Sequence, residues 1–149
     1  MKILLVEDDY LQTDWVYSDL IREFPDAEIE KLSTESEFYS RLDGIAGASP
    51  DVILMDIMMR WAHPSPNIPP APEEVKKDGF YRAGLRCIRL LSKSARTSRI
   101  PVILYTMLER ADLEEPLRKL PANVTYMQKE SDLTPLFQRI RAVTRTATQ

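Results

Sequence analysis

Apolar residues occur along this chain in two rhythms. Short unbroken runs, Ile3 to Val6, Val52 to Met55 and Val102 to Tyr105, have the form of strands buried on both faces. Val124 to Gln128 reads as a further strand, and residues 27 to 32 as a weaker one. Between them the spacing changes to three and four. Val16, Leu20 and Phe24 mark a helix over residues 10 to 24, which Pro25 stops. Thr34 and Glu37 fit a capping box before a helix carrying Phe38 and Leu42, whose end Gly44 and Gly47 mark. Tyr81, Leu85, Ile88, Leu91 and Ala95 predict a helix from roughly 79 to 96. A short helix near 109 to 120 contains Pro116, which should kink it or mark its start. Thr134 and Pro135 read as N-cap and first residue of a last helix with Leu136, Ile140 and Val143 on its apolar face.

Strands alternating with helices imply an α/β fold, a parallel sheet with helices on both faces. Five such units in one small domain predict the flavodoxin-like five-stranded parallel sheet, order 2-1-3-4-5. One stretch breaks the rhythm. From about 60 to 78 the chain has prolines at 64, 66, 69, 70 and 72, which favour extended, polyproline-like backbone.

Composition narrows the class. The 149 residues fit one domain, 1–149, with the proline-rich stretch as an insertion between the third strand and third helix. A net charge of −3 gives no bulk argument for nucleic acid. No apolar run approaches the roughly 18 residues of a membrane span, and the N-terminus, MKILLVEDD, lacks a signal peptide's long apolar stretch. One cysteine, Cys87, excludes an internal disulfide and reads as a small buried or half-buried hydrophobe. The expected location is cytoplasmic.

Open parallel sheets bind ligands at the carboxyl ends of their strands. The first strand delivers Glu7, Asp8 and Asp9 there, the third Asp56, the fourth Thr106 and the fifth Lys129. Singly, each fits a cap, a turn or a solvated surface. Together they are complementary. Clustered carboxylates call for a cation, and Mg²⁺ prefers oxygen ligands together with phosphate. A lysine and a hydroxyl suit phosphate oxygens. With no GxxxxGK[ST] or GxGxxG loop to cradle a nucleotide, Asp56 is the expected nucleophile, forming an acyl phosphate.

These same stretches carry a resemblance. KILLVEDD, PDVILMDIMM, IPVILYT and VTYMQK, in that order and spacing, make the chain resemble the receiver domain of two-component response regulators over essentially its whole length. The resemblance implies Asp56 as phosphoacceptor and Glu7 and Asp8 as the acidic pair. It implies Mg²⁺ held by Asp8, Asp56 and the backbone carbonyl of Met58, with Glu7 helping through water. Lys129 would contact the phosphoryl group, Thr106 would move to it, and Tyr126 stands where the family has its switch aromatic. The implied partners are a histidine kinase or phosphotransfer protein and an output protein, with a homodimer as one option and no membrane or nucleic acid. No enzymatic turnover beyond slow self-dephosphorylation is expected. No effector domain is expected after the last helix.

The chain departs from that pattern at Arg60, where proline is common, at Met107, where a small residue is common, and at Glu130, where proline follows the lysine. These departures motivate an alternative, a phosphorylation-independent binding module of the same fold. A haloacid-dehalogenase-like phosphatase using Asp56 would need a second acid two residues on, where Met58 stands. The insertion, with Trp61 and His63, reads equally as a docking element or partial lid and as a tolerated surface loop; His63 as a second phosphoryl carrier is disfavoured. Arg82, Arg86, Arg89, Lys93 and Arg96 recur opposite the apolar stripe of their helix, as a solvated face or a site for an anionic protein.

Overall fold

The computed structural model describes residues 1–147. Five parallel strands, β1 (Lys2–Val6), β2 (Glu28–Leu32), β3 (Val52–Met55), β4 (Val102–Thr106) and β5 (Val124–Gln128), form one sheet in the order β2-β1-β3-β4-β5. The helices are α1 (Tyr10–Glu23), α2 (Glu35–Gly47), α3 (Glu73–Asp78), α4 (Ala83–Ser92), α5 (Glu114–Arg118) and α6 (Thr134–Ala147).

Side chains alternate across the pleat, so each apolar run feeds two cores. Leu4, Val6, Ile53, Met55, Val102 and Leu104 pack with Phe38 and Ile45 of α2 and with Cys87, Ile88 and Leu91 of α4. Ile3, Leu5, Val52, Leu54, Ile103 and Tyr105 pack with Val16 and Leu20 of α1 and with Leu136 and Ile140 of α6. The order reverses between β1 and β3, which puts the switch point at the ends of those two strands.

Several boundaries differ from expectation. Thr134, expected as the N-cap, is already the first residue of α6, and its N–H donates to the Asp132 carboxylate at 3.0 Å. Helix α2 runs through Gly44 to Gly47. Helix α5 begins two residues before Pro116, where a first-turn proline sacrifices no intrahelical bond. The helix expected from 79 to 96 is a 3₁₀ turn, Phe80–Arg82, followed by α4, and Tyr81 is exposed.

The proline-rich segment is not an extended arm throughout. Residues 73–78 are helical, with the carbonyl of Pro72 accepting the first bonds from Val75 and Lys76. Gly79, with φ +70°, turns the chain into the 3₁₀ segment, a conformation that favours glycine. The start of the segment is bound to α2. The Arg60 carbonyl accepts the Glu35 N–H at 3.0 Å and the Trp61 carbonyl accepts the Ser36 N–H at 2.9 Å. With Thr34 Oγ1 accepting from Glu37, these satisfy three of the donors that a helix N-terminus leaves open. The Trp61 ring meets Tyr39 edge-on at 5.1 Å and its Nε1 donates to the Pro69 carbonyl. His63 Nε2 lies 2.7 Å from Ser33 Oγ. The segment is thus part of the fold's own capping.

Candidate functional site

Register brings the expected residues to one edge. Val6 pairs with Met55, so Glu7 and Asp56 leave adjacent strands side by side, and the Asp56 N–H donates to the Val6 carbonyl at 3.0 Å. Thr106 pairs with Gln128, and the Lys129 N–H donates to the Thr106 carbonyl at 2.7 Å. Glu7, Asp56 and Thr106 are buried, with Thr106 fully so.

Lys129 is the centre of the site. Its ammonium donates to Glu7 Oε2 and, at 3.0 Å, to Asp56 Oδ2. Asp56 Oδ1 accepts the Ile57 N–H at 2.7 Å, which fixes the carboxylate's plane. Two buried carboxylates therefore share one cation. Burial and the neighbouring Asp56 push Glu7 up to about 8, against the pull of Lys129. Burial alone would lower Lys129, but Asp56 and Glu7 outweigh it and hold its ammonium protonated above the usual lysine range.

Asp8 faces elsewhere. Its Oδ2 accepts the Arg60 N–H at 2.9 Å and lies 3.5 Å from Arg60 Nε. Asp9 is spent as the N-cap of α1, accepting from Leu11 and Gln12, as an acid one past the pair can be. Met58 is half-buried in the loop after Asp56. Met107 projects into solvent, 56 % exposed.

Thr106 is not bonded to Asp56. Its Oγ1 accepts the Leu108 N–H at 3.3 Å, and the Leu108 carbonyl accepts the Tyr126 hydroxyl at 2.6 Å. The Leu108 residue thereby links the two candidate switch residues. Tyr126 is half-buried, and the Arg110 guanidinium lies 4.8 Å from its ring centre.

Among the described residues, no three His, Cys, Asp or Glu side chains gather closely enough to hold a metal. The reason is local: Lys129 stands between Glu7 and Asp56, and Arg60 holds Asp8. The fit to a hard divalent cation is one of chemistry and charge. Glu7, Asp8 and Asp56 bring carboxylate oxygens to one sheet edge, the donor type such a cation prefers, and Lys129 contacts only two of the three.

Three residues that matter were not singled out from sequence for these roles. Gly84 lets α4 approach the site: its N–H donates to the Ile57 carbonyl at 2.8 Å, and a Cβ there would lie 2.1 Å from the Asp56 carbonyl oxygen. Glu35 and Arg86 form a buried pair, with two bonds of 2.7 Å and exposures of 0 and 2 %. This corrects the basic stripe of α4: Arg86 is internal, and Arg89 pairs with Glu74 at 2.8 Å. The apolar face is centred on Ala83, Cys87 and Leu91, which brings position 86 inside.

Glu7 gives the metal-free protein a pH signature. The folded state holds this proton up to about pH 8, whereas an unfolded glutamate loses it near its ordinary value of 4.5. Folded protein binds more protons in between, so stability falls as pH rises through that interval. The contribution is complete below the unfolded value and lost above about 8. Lys129 is shifted upward from 10.5, outside the window, and Glu30 is lowered from 4.5, below it. Thermal melts in chelator at about pH 5 and about pH 9 should show a smaller drop for Glu7→Gln than for wild type.

No protein-family model matches the chain, and no curated protein matches it by sequence. Solved structures do match. The phosphorylated cyanobacterial phytochrome response regulator RcpA superposes with a TM-score of 0.64 at 23% identity, covering 95% of this chain and 89% of that one. The signal receiver domain of a DNA-binding response regulator (merR) from Colwellia psychrerythraea 34H gives 0.67 at 21%, covering 97% and 98%. The receiver domain of the sensor histidine kinase PA1611 from Pseudomonas aeruginosa PAO1, with a magnesium ion coordinated in its active site cleft, gives 0.67 at 18%, covering 97% of each chain. The chain described here has the fold of the response-regulator receiver domains over nearly its whole length.

Proposed function

We propose that this protein is a phosphoacceptor of two-component signalling, taking a phosphoryl group on Asp56 from a phosphohistidine of a kinase or phosphotransfer protein. The observation that carries the reading is the Lys129 ammonium, its side chain only 7% exposed, joined to both Glu7 and Asp56 at the ends of three strands. An Asp56 oxygen attacks phosphorus, the phosphorus–nitrogen bond of the donor breaks, and the leaving imidazole takes up a proton. Ile57 N–H fixes one carboxylate oxygen, so the other, beside Lys129, is the nucleophile. Lys129 then stands where charge develops on the transferred group, and positioning supplies most of the rate.

Mg²⁺ would be held by Asp8, Asp56 and the Met58 carbonyl, with Glu7 beside them, and would supply neutralisation of the phosphoryl charge. The acyl phosphate gives Thr106 a stronger partner than the Leu108 N–H. When its hydroxyl turns inward, the Leu108 peptide loses one hold and the Tyr126 hydroxyl loses a fixed acceptor. A local charge is thereby read as a change of the β4–β5 face, where an output protein would dock. The chemistry asks for no turnover. No helix among the described residues is long and apolar enough to cross a membrane, which suits a cytoplasmic partner of a kinase.

One observation favours the second reading, a phosphorylation-independent binding module: each acid of the site already has a basic partner, Lys129 for Glu7 and Asp56 and Arg60 for Asp8. Incubation with Mg²⁺ and acetyl phosphate separates the two. Intact-mass measurement should show one added phosphoryl group on wild type and none on Asp56→Asn. No addition to wild type, with no spectral change on adding beryllium fluoride, would sink the phosphoacceptor reading.

A further inference from the structure

We propose that Arg60 is a resident counter-ion of Asp8 which a divalent cation must displace, so that this side chain sets the metal affinity of the site. The inference rests on the phosphoacceptor reading, because it takes Asp8 as a metal ligand. Among the three acids at the strand ends, Lys129 contacts Glu7 and Asp56 but not Asp8. Asp8 is served by Arg60 instead, through the backbone N–H at 2.9 Å and Nε at 3.5 Å on the same oxygen. The two contacts have different freedom. The Arg60 backbone is fixed, since its carbonyl and that of Trp61 cap α2 and the Trp61 ring is set against Tyr39. The Arg60 side chain is 51% exposed and borders an open cleft of about 580 Å³ lined by Asp8, Asp9, Tyr10, Arg60 and His63. It can swing into that space while the N–H stays on Asp8.

A divalent ion at Asp8 would lie within a few ångströms of a guanidinium that cannot lose its proton. Binding therefore costs the Arg60–Asp8 attraction and meets repulsion unless the side chain leaves. An ion pair this open to solvent is modest, so the effect is one of tuning.

Isothermal calorimetry of Mg²⁺ and of Mn²⁺ tests it on wild type, Arg60→Ala and Arg60→Lys. Arg60→Ala keeps the backbone N–H, and an unchanged melting temperature confirms that the loop is still seated. Its Kd should be lower than wild type by about three- to tenfold, the gap narrowing with added salt, and Arg60→Lys should lie near wild type. Equal or weaker binding by Arg60→Ala overturns the inference while leaving the metal reading in place. No saturable binding by any of the three proteins overturns the metal reading, and this inference with it.

Discussion

Replacing Arg86 with alanine should destabilise the protein by about 3–5 kcal/mol, the cost of stranding a buried carboxylate. Glu35 is fully buried, and its two oxygens accept from Arg86 Nε and Nη2 at 2.7 Å, with the Tyr39 hydroxyl adding a third bond at 2.8 Å. Burial and that bond to Glu35 push the Tyr39 phenol above its ordinary range, so it stays a donor. Without Arg86 the carboxylate keeps only the phenol. The pair itself is another matter. Arg86 Nη1 is buried with no hydrogen-bond partner among the described residues, which offsets part of what the pair contributes. A double replacement, Glu35→Leu with Arg86→Met, should therefore lie much closer to wild type than the sum of the single changes. Urea unfolding of wild type, Glu35→Leu, Arg86→Met and the double replacement measures the coupling. A double mutant as unstable as the sum would mean that the two residues act independently.

The pair does more than join α2 to α4. Arg86 Nη2 also donates to the Gly79 carbonyl at 2.8 Å, at the glycine turn where the insertion gives way to the 3₁₀ segment. The insertion starts by capping α2 beside Glu35 and ends by returning to Arg86. Its two ends are thus fastened to one buried ion pair.

The central architecture was legible because unbroken apolar runs and three-to-four spacing are strong signals, and the strand-end residues follow from register once the order is fixed. Glu7, Asp56 and Lys129 meet as the pattern implies. The rest depended on contacts between residues distant in sequence. A lone arginine in a basic stripe looks solvated until its partner is known, and Glu35 precedes Arg86 by 51 residues. Arg60 could be seen only as a missing proline, because its hold on Asp8 spans 52 residues. The tail of the insertion looked extended, although Glu73–Asp78 follows Pro72 with Glu73 and Glu74 in its first turn and Lys76 and Lys77 in its last, a helix-favouring order of charges that the prolines overshadowed.

Gly84→Ala should cost about 2–3 kcal/mol and, if folded, lower phosphoryl uptake on Asp56. Alanine in a helix is ordinarily worth up to about 1 kcal/mol over glycine, so the expected sign runs against propensity. The reason is the close approach of α4 to the site. A Cβ at position 84 would lie 2.1 Å from the Asp56 carbonyl oxygen, 2.8 Å from Ile57 Cα and 2.9 Å from the Asp56 carbonyl carbon. All three are backbone atoms at the end of a buried strand, with no flexible side chain to yield. Either α4 retreats, stretching the 2.8 Å bond from Gly84 to the Ile57 carbonyl, or the Asp56 peptide moves and turns its carboxylate away from Lys129. Gly47→Ala is the control. It closes α2 with nothing within 4 Å of the added carbon, and should be neutral or slightly stabilising. Urea midpoints and acetyl phosphate labelling of both variants decide the matter. A Gly84→Ala protein as stable and as readily labelled as Gly47→Ala would show that α4 is free to move away from Asp56 without consequence.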